Sequence, residues 1–111
     1  MEKVIAVPRG EKRFPMAVAV QISGNESIPG VETTFTENVS ARGARVVTSR
    51  RWQPNERILV LTLPGDFRAR ARVAYCQRAS DAGYAIGLEF LEPSGHWVID
   101  PSAAPERTLN R

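Results

Sequence analysis

"FRARARVAYCQRASDAGYAIGLEFL", residues 67–91, decides the fold. Phe67, Ala69, Ala71, Val73 and Tyr75 alternate with Arg68, Arg70 and Arg72, a period of two that gives a strand one apolar face and one basic face. "SDAG" at 80–83 has hairpin-turn chemistry, and "YAIGLEFL" returns with Tyr84, Ile86, Leu88 and Phe90 on one side. A two-stranded hairpin with one dry face is marginal in water, so further strands must cover that face.

Upstream the same punctuation repeats. "PGD" at Pro64–Asp66 is a strong turn signal, and before it "RILVLTL" at Arg57–Leu63 is apolar on both faces, as expected of a strand covered on both sides. "RRWQPNE" reads as a loop, "GARVVTS" from Gly43 as a strand, and "VETTFTENVS" as another that ends near Asn38. "GNESIPG" at 24–30 is a turn, and "MAVAVQIS" at 16–23 places Val18, Val20 and Ile22 on one face. Six short strands without a long amphipathic helix predict an all-β fold, an antiparallel barrel or sandwich. Pro93, Pro101 and Pro105 exclude a continuous helix after the last strand, so the C-terminal tail is expected to be irregular or short-helical, pinned to the body by Trp97.

The chain has 111 residues, enough for one core, with 42% hydrophobic and 24% charged residues. Its apolar runs are too short to span a bilayer, and Pro8 and Arg9 interrupt the apolar run near the N-terminus, so no membrane insertion, no export signal and a cytoplasmic location are expected. Cys76 and His96 are the only residues of their kinds, which excludes a disulfide or a Cys/His zinc site within one chain. Cys76 reads as a small, partly buried residue of a strand. No nucleophile, base and orienting carboxylate group together, so no enzyme and no cofactor are expected.

The net charge is +3, and thirteen of the fifteen basic residues are Arg. Arginine's planar fork binds phosphate and the O6/N7 edge of guanine in a bidentate way, although GC-rich coding favours Arg over Lys without any functional cause. Two stretches concentrate this chemistry. "RGEKRFPMAV" at 9–18 carries Arg9 and Arg13 just before the first strand. "ENVSARGA" carries Asn38, Ser40 and Gly43 in the arrangement N-x-S-x-x-G, which is either a polar cradle or simply a tight turn.

Taken together, R-x-x-x-R, then N-x-S-x-x-G, then "YAIGLEFL" resemble the PilZ domain family over residues 9–92. The resemblance implies a six-stranded PilZ-like β-barrel that binds cyclic di-GMP. Residues 1–8 would then be a flexible arm and residues 93–111 a Pro-rich tail. It further implies that Arg9 and Arg13 grip phosphates and guanine edges, that Asn38 and Ser40 hydrogen-bond the base and backbone, and that Gly43 lets the nucleotide approach. Many members read R-x-aromatic-x-R immediately before the first strand; in that register Phe14 is the aromatic and the arginine positions fall on Lys12 and Met16. Arg42 and Arg45 flank the cradle. The row Arg68, Arg70 and Arg72 reads as a solvated face, a protected sheet edge, or a second surface for an anionic partner.

Three functions follow from these features. The first is a cyclic di-GMP receptor acting in trans on an effector protein, since no output domain fits in the chain. The second is a degenerate PilZ domain that binds a protein and no nucleotide. The third is a small basic barrel for single-stranded nucleic acid, ranked last because that mode needs exposed aromatics in a basic groove and most aromatics here fall on apolar faces.

Overall fold

The alternating runs form six strands: β1 (Ala19–Ser23), β2 (Val31–Ser40), β3 (Gly43–Thr48), β4 (Arg57–Thr62), β5 (Phe67–Arg78) and β6 (Tyr84–Gly95). The computed structural model describes residues 12–24, 30–63, 65–79 and 83–99. All pairings are antiparallel, and the order β1-β2-β3-β6-β5-β4 closes into a barrel because β4 pairs back onto β1. The six-stranded all-β reading is therefore correct, and of the two architectures left open the barrel is the one formed.

Inward residues supply the core: Val20 and Ile22 from β1, Val46 from β3, Val60 from β4, Ala71 and Val73 from β5, and Ile86 from β6, all essentially buried. Cys76 packs partly buried against this core, as its sequence context predicted. A barrel of six strands is filled by the side chains of one face, and among the described residues no second layer covers the outer face of β4. That corrects the reading of Arg57–Leu63 as covered on both sides: Ile58, Val60 and Thr62 point in, while Leu59 and Leu63 are exposed. It also removes the edge-strand explanation of the arginine row, because β5 pairs with both β4 and β6.

Two bulges in the β5–β6 ladder change the register, one between Arg70 and Ala71 and one between Val73 and Tyr75. An extra residue shifts every later side chain to the opposite face. Tyr75 consequently leaves the series Phe67, Ala69, Ala71, Val73 and lies over Gly87, where a Cβ would overlap its ring. β6 also passes the expected boundary at residue 92 and ends at Gly95. Pro93 fits there, opposite Ala69, because β3 stops pairing with β6 at Glu89 and only one neighbouring strand remains.

Trp97 docks as predicted. It stacks with Phe67 (4.8 Å between centroids) and meets Phe90 edge-on (4.9 Å), while its Nε1–H donates to the Ser40 carbonyl at 2.7 Å. The tail beyond Ile99, the arm at 1–11 and most of the β1–β2 turn lie outside the described residues.

Two losses can be separated at Trp97. Trp97→Ala should cost about 3–5 kcal/mol of stability, the usual range for deleting a buried large aromatic. Trp97→Phe keeps much of the ring but removes the Nε1–H bond to the Ser40 carbonyl, and should cost less, about 0.5–1.5 kcal/mol for the hydrogen bond. Urea unfolding of the two variants beside the parent chain measures both.

Candidate functional site

The residues before β1 continue along β2. Phe14 and Val39 exchange backbone hydrogen bonds, Phe14 N–H to Val39 O at 2.8 Å and Val39 N–H to Phe14 O at 2.9 Å. Thr36 fastens the same segment: its hydroxyl donates to the Met16 carbonyl (2.7 Å) and accepts from the Val18 N–H (2.8 Å). A buried threonine satisfies two backbone groups that have no ladder partner at that point.

This delivers Arg13 to the cradle. Its Nη1–H donates to Asn38 Oδ1 at 3.1 Å, joining two motifs 25 residues apart. A bulge between Thr36 and Asn38 sets Asn38 opposite Arg45 and leaves it half-buried at the barrel surface. Lys12 is exposed beside Arg13 in the chain, and Arg42 is exposed in the two-residue turn between β2 and β3, its carbonyl accepting from Phe90 N–H at 2.9 Å. Arg9 lies outside the described residues. Met16, the second arginine position of the shifted register, is partly exposed and holds the barrel through its carbonyl.

Ser40 and Gly43 have a structural role. Ser40 is buried, with its hydroxyl directed to the Gly43 carbonyl at 3.4 Å and its own carbonyl taken by Trp97. Gly43 does not adopt the left-handed backbone conformation, the alternative raised from the sequence. The close approach is real, and it is made by β6: a Cβ on Gly43 would overlap the Leu88 carbonyl oxygen. Beside this turn, Ala41, Arg42 and the Phe67–Phe90–Trp97 cluster line an open pocket of about 350 Å³.

A second group, unread in the sequence, borders Asn38. Arg45 donates to Glu37 (2.8 Å), to the Tyr75 hydroxyl (3.1 Å) and to Gln77 (3.2 Å), with its guanidinium 5.8 Å from the Tyr75 ring centre. Hydrogen bonding to Glu37, then to Tyr75, raises the Arg45 pKa above its ordinary value, and the three side-chain bonds hold its guanidinium in place. Only the bulge in β5 puts Tyr75 there, and a bulge has no signature in the alternation. The surface around Asn38 thus offers a guanidinium fork from Arg13 and a carboxamide, with Arg45 beside them held in an ion pair by Glu37, a set in which Arg13 is the group suited to a planar anion.

Gly43→Val should damage the barrel itself. Its branched side chain meets the β6 backbone, and the loss should reach at least about 1–3 kcal/mol, the cost of overpacking a tight site. Thermal unfolding checks this; an unchanged midpoint would show that the contact with Leu88 is not tight.

Comparison with known proteins agrees with the geometry. The solved structure of the Bacillus subtilis inhibitor of motility MotI/DgrA is similar, with a TM-score of 0.60 and 23% sequence identity over 80% of this chain. The chain spans 45% of the length of that protein, and the likeness concerns the fold. No curated protein matches. The model of the PilZ domain matches residues 8–96, which include the arm, the cradle and all six strands, and the chain belongs to the PilZ domain family.

Proposed function

We propose that this chain is a cyclic di-GMP receptor module, non-enzymatic, that acts in trans on a partner protein. The observation that carries the reading is the contact between Arg13 and Asn38, which brings the two motifs that the family uses for the nucleotide to one patch of the barrel. Arg13 uses one of its five N–H donors toward Asn38, which leaves the rest of the fork for phosphate or a guanine edge. Arg9, four residues further out, closes over the ligand from the arm. Ser40 and Gly43 act through the turn they hold, and Arg42 and Lys12 add positive charge at its rim. Membership of the PilZ domain family supports a regulatory module over a catalytic one.

Met16 favours a second reading. In the register that counts from Phe14, the arginine positions hold Lys12 and Met16, and methionine offers phosphate nothing. The chain would then be a protein-interaction module without a nucleotide.

Titration with cyclic di-GMP, with GMP and cyclic AMP as controls, tests the first reading. Arg13→Ala should weaken binding by roughly 1.5–3 kcal/mol, about ten- to a hundredfold, and leave stability within about 0.5 kcal/mol of the parent. Arg9→Ala should act similarly. A loss on Lys12→Ala with none on Arg9→Ala would establish the shifted register. Hydrogen exchange should show new protection across residues 9–13 when the ligand is added, Phe14 N–H being already bonded to Val39; saturable binding without it would exclude closure of the arm.

A further inference from the structure

β1 lies between β2 and β4, and its outward residues, Ala19, Gln21 and Ser23, are small or polar. Its neighbours are apolar except Thr33, which stands beside Gln21 in the middle row. Val31 and Phe35 stand on β2, and Leu59, Leu61 and Leu63 stand on and just after β4. The register aligns them in rows: Phe35 is beside Ala19, whose carbonyl accepts from Leu63 N–H at 3.1 Å, and Val31, Ser23 and Leu59 lie side by side. The outcome is a trough over β1 whose two end rows, Phe35–Ala19–Leu63 and Val31–Ser23–Leu59, have apolar walls, with Gln21 and Thr33 crossing its middle.

Single exposed apolar residues are ordinary on a protein surface, but a contiguous set marks a binding face. Here Val31 is 64% exposed, Phe35 56%, Leu59 43% and Leu63 45%. Two strand spacings, about 10 Å, separate the backbones of the walls, so a helix would lie across their tops with one face of side chains directed between them. From Val31 to Phe35 the trough is about 13 Å long, or roughly two and a half helical turns.

The charge beyond one wall is of a single sign. Across the β4 ladder, Arg68 is opposite Leu61 and Arg70 is opposite Leu59. Arg70 pairs with Glu92 at 3.4 Å with both side chains largely exposed, a contact of little energy, and Arg68 has no ion-pair partner among the described residues. We infer that this trough docks an amphipathic α-helix of another protein, apolar on the face that enters it and acidic along the edge beside Arg68 and Arg70. The chain's own terminal segments lack that charge, and the five residues 25–29, which carry Glu26, are too few for the helix. Residues 1–11 set Glu2 and Glu11 against Lys3 and Arg9, and residues 100–111 set Asp100 and Glu106 against Arg107 and Arg111. A second copy, at net charge +3, brings the same arginine row to meet this one. Docking in the trough does not require the nucleotide.

Two stapled helical peptides test the inference by fluorescence anisotropy on the full chain. Both carry leucine at i, i+3, i+4 and i+7; one is flanked by glutamate and the other by lysine. The glutamate peptide should bind, and the lysine peptide should bind at least about tenfold more weakly. Phe35→Ser should weaken the glutamate peptide by about tenfold or more, and Arg68→Glu with Arg70→Glu should reverse the preference between the peptides. Should Phe35→Ser fail to fold, the charge reversal carries the test. Absence of binding, equal binding of both peptides, or binding insensitive to both variants overturns the proposal. So does a dimer of the parent chain that Phe35→Ser dissolves, or a photo-crosslink from position 35 to residues 1–11 of the same chain.

Discussion

Closure of the barrel rests on five residues. β1 is the strand that joins β2 to β4, with five partners on one side and four on the other. Removing it would leave two edges with unpaired N–H and C=O groups, the arrangement a barrel exists to avoid. Much else follows from this one constraint. Because β1 is shorter than the stretch of β2 available to it, the chain that precedes it runs on along β2, and Arg13 arrives beside Asn38 as a consequence of closure. No separate device aims the arm.

The turn of the cradle answers to the same economy. Ser40 closes a local bond to Gly43, gives its carbonyl to Trp97, and is buried by both. Gly43 admits the β6 backbone, and Arg42 receives the Phe90 N–H on its carbonyl. Of the residues the motif collects, Ser40 and Gly43 hold the turn, while the side chains of Arg13 and Asn38 meet at the barrel surface. A motif records both kinds of requirement without distinguishing them.

What was legible in the sequence had a period. Val20 and Ile22, or Phe67, Ala69, Ala71 and Val73, reveal their faces through alternation, and Trp97 reveals itself as a lone large aromatic in a polar tail. Bulges have no period. The shift between Val73 and Tyr75 reversed the predicted face of Tyr75 and created the network with Arg45, and the shift between Thr36 and Asn38 turned Asn38 to its place. The exposure of Leu59 and Leu63 was hidden for another reason: a strand apolar on both faces looks the same whether its second face meets a core or a partner. The pairing of Arg13 with Asn38 was legible only through the resemblance to a family, since no local pattern links residues 25 apart.

The cradle and the trough share β2, the trough along Val31–Phe35 and the cradle from Asn38 onward, with Thr36 between them. The Thr36 hydroxyl binds Met16 and Val18 at once, on the chain that passes from the arm into the floor of the trough. Two short hydrogen bonds to a buried side chain make a fixed point, and a displacement of residues 12–15 would have to break them before it could move Ala19. The geometry therefore insulates the two surfaces. If the proposed ligand binds at Arg13 and Asn38, it would change the surface at the cradle, while Thr36 would hold the start of β1 where it is. A partner that responds to the ligand would then do so by contact at the cradle, and a helix docked beside β1 would only set how close that partner stays.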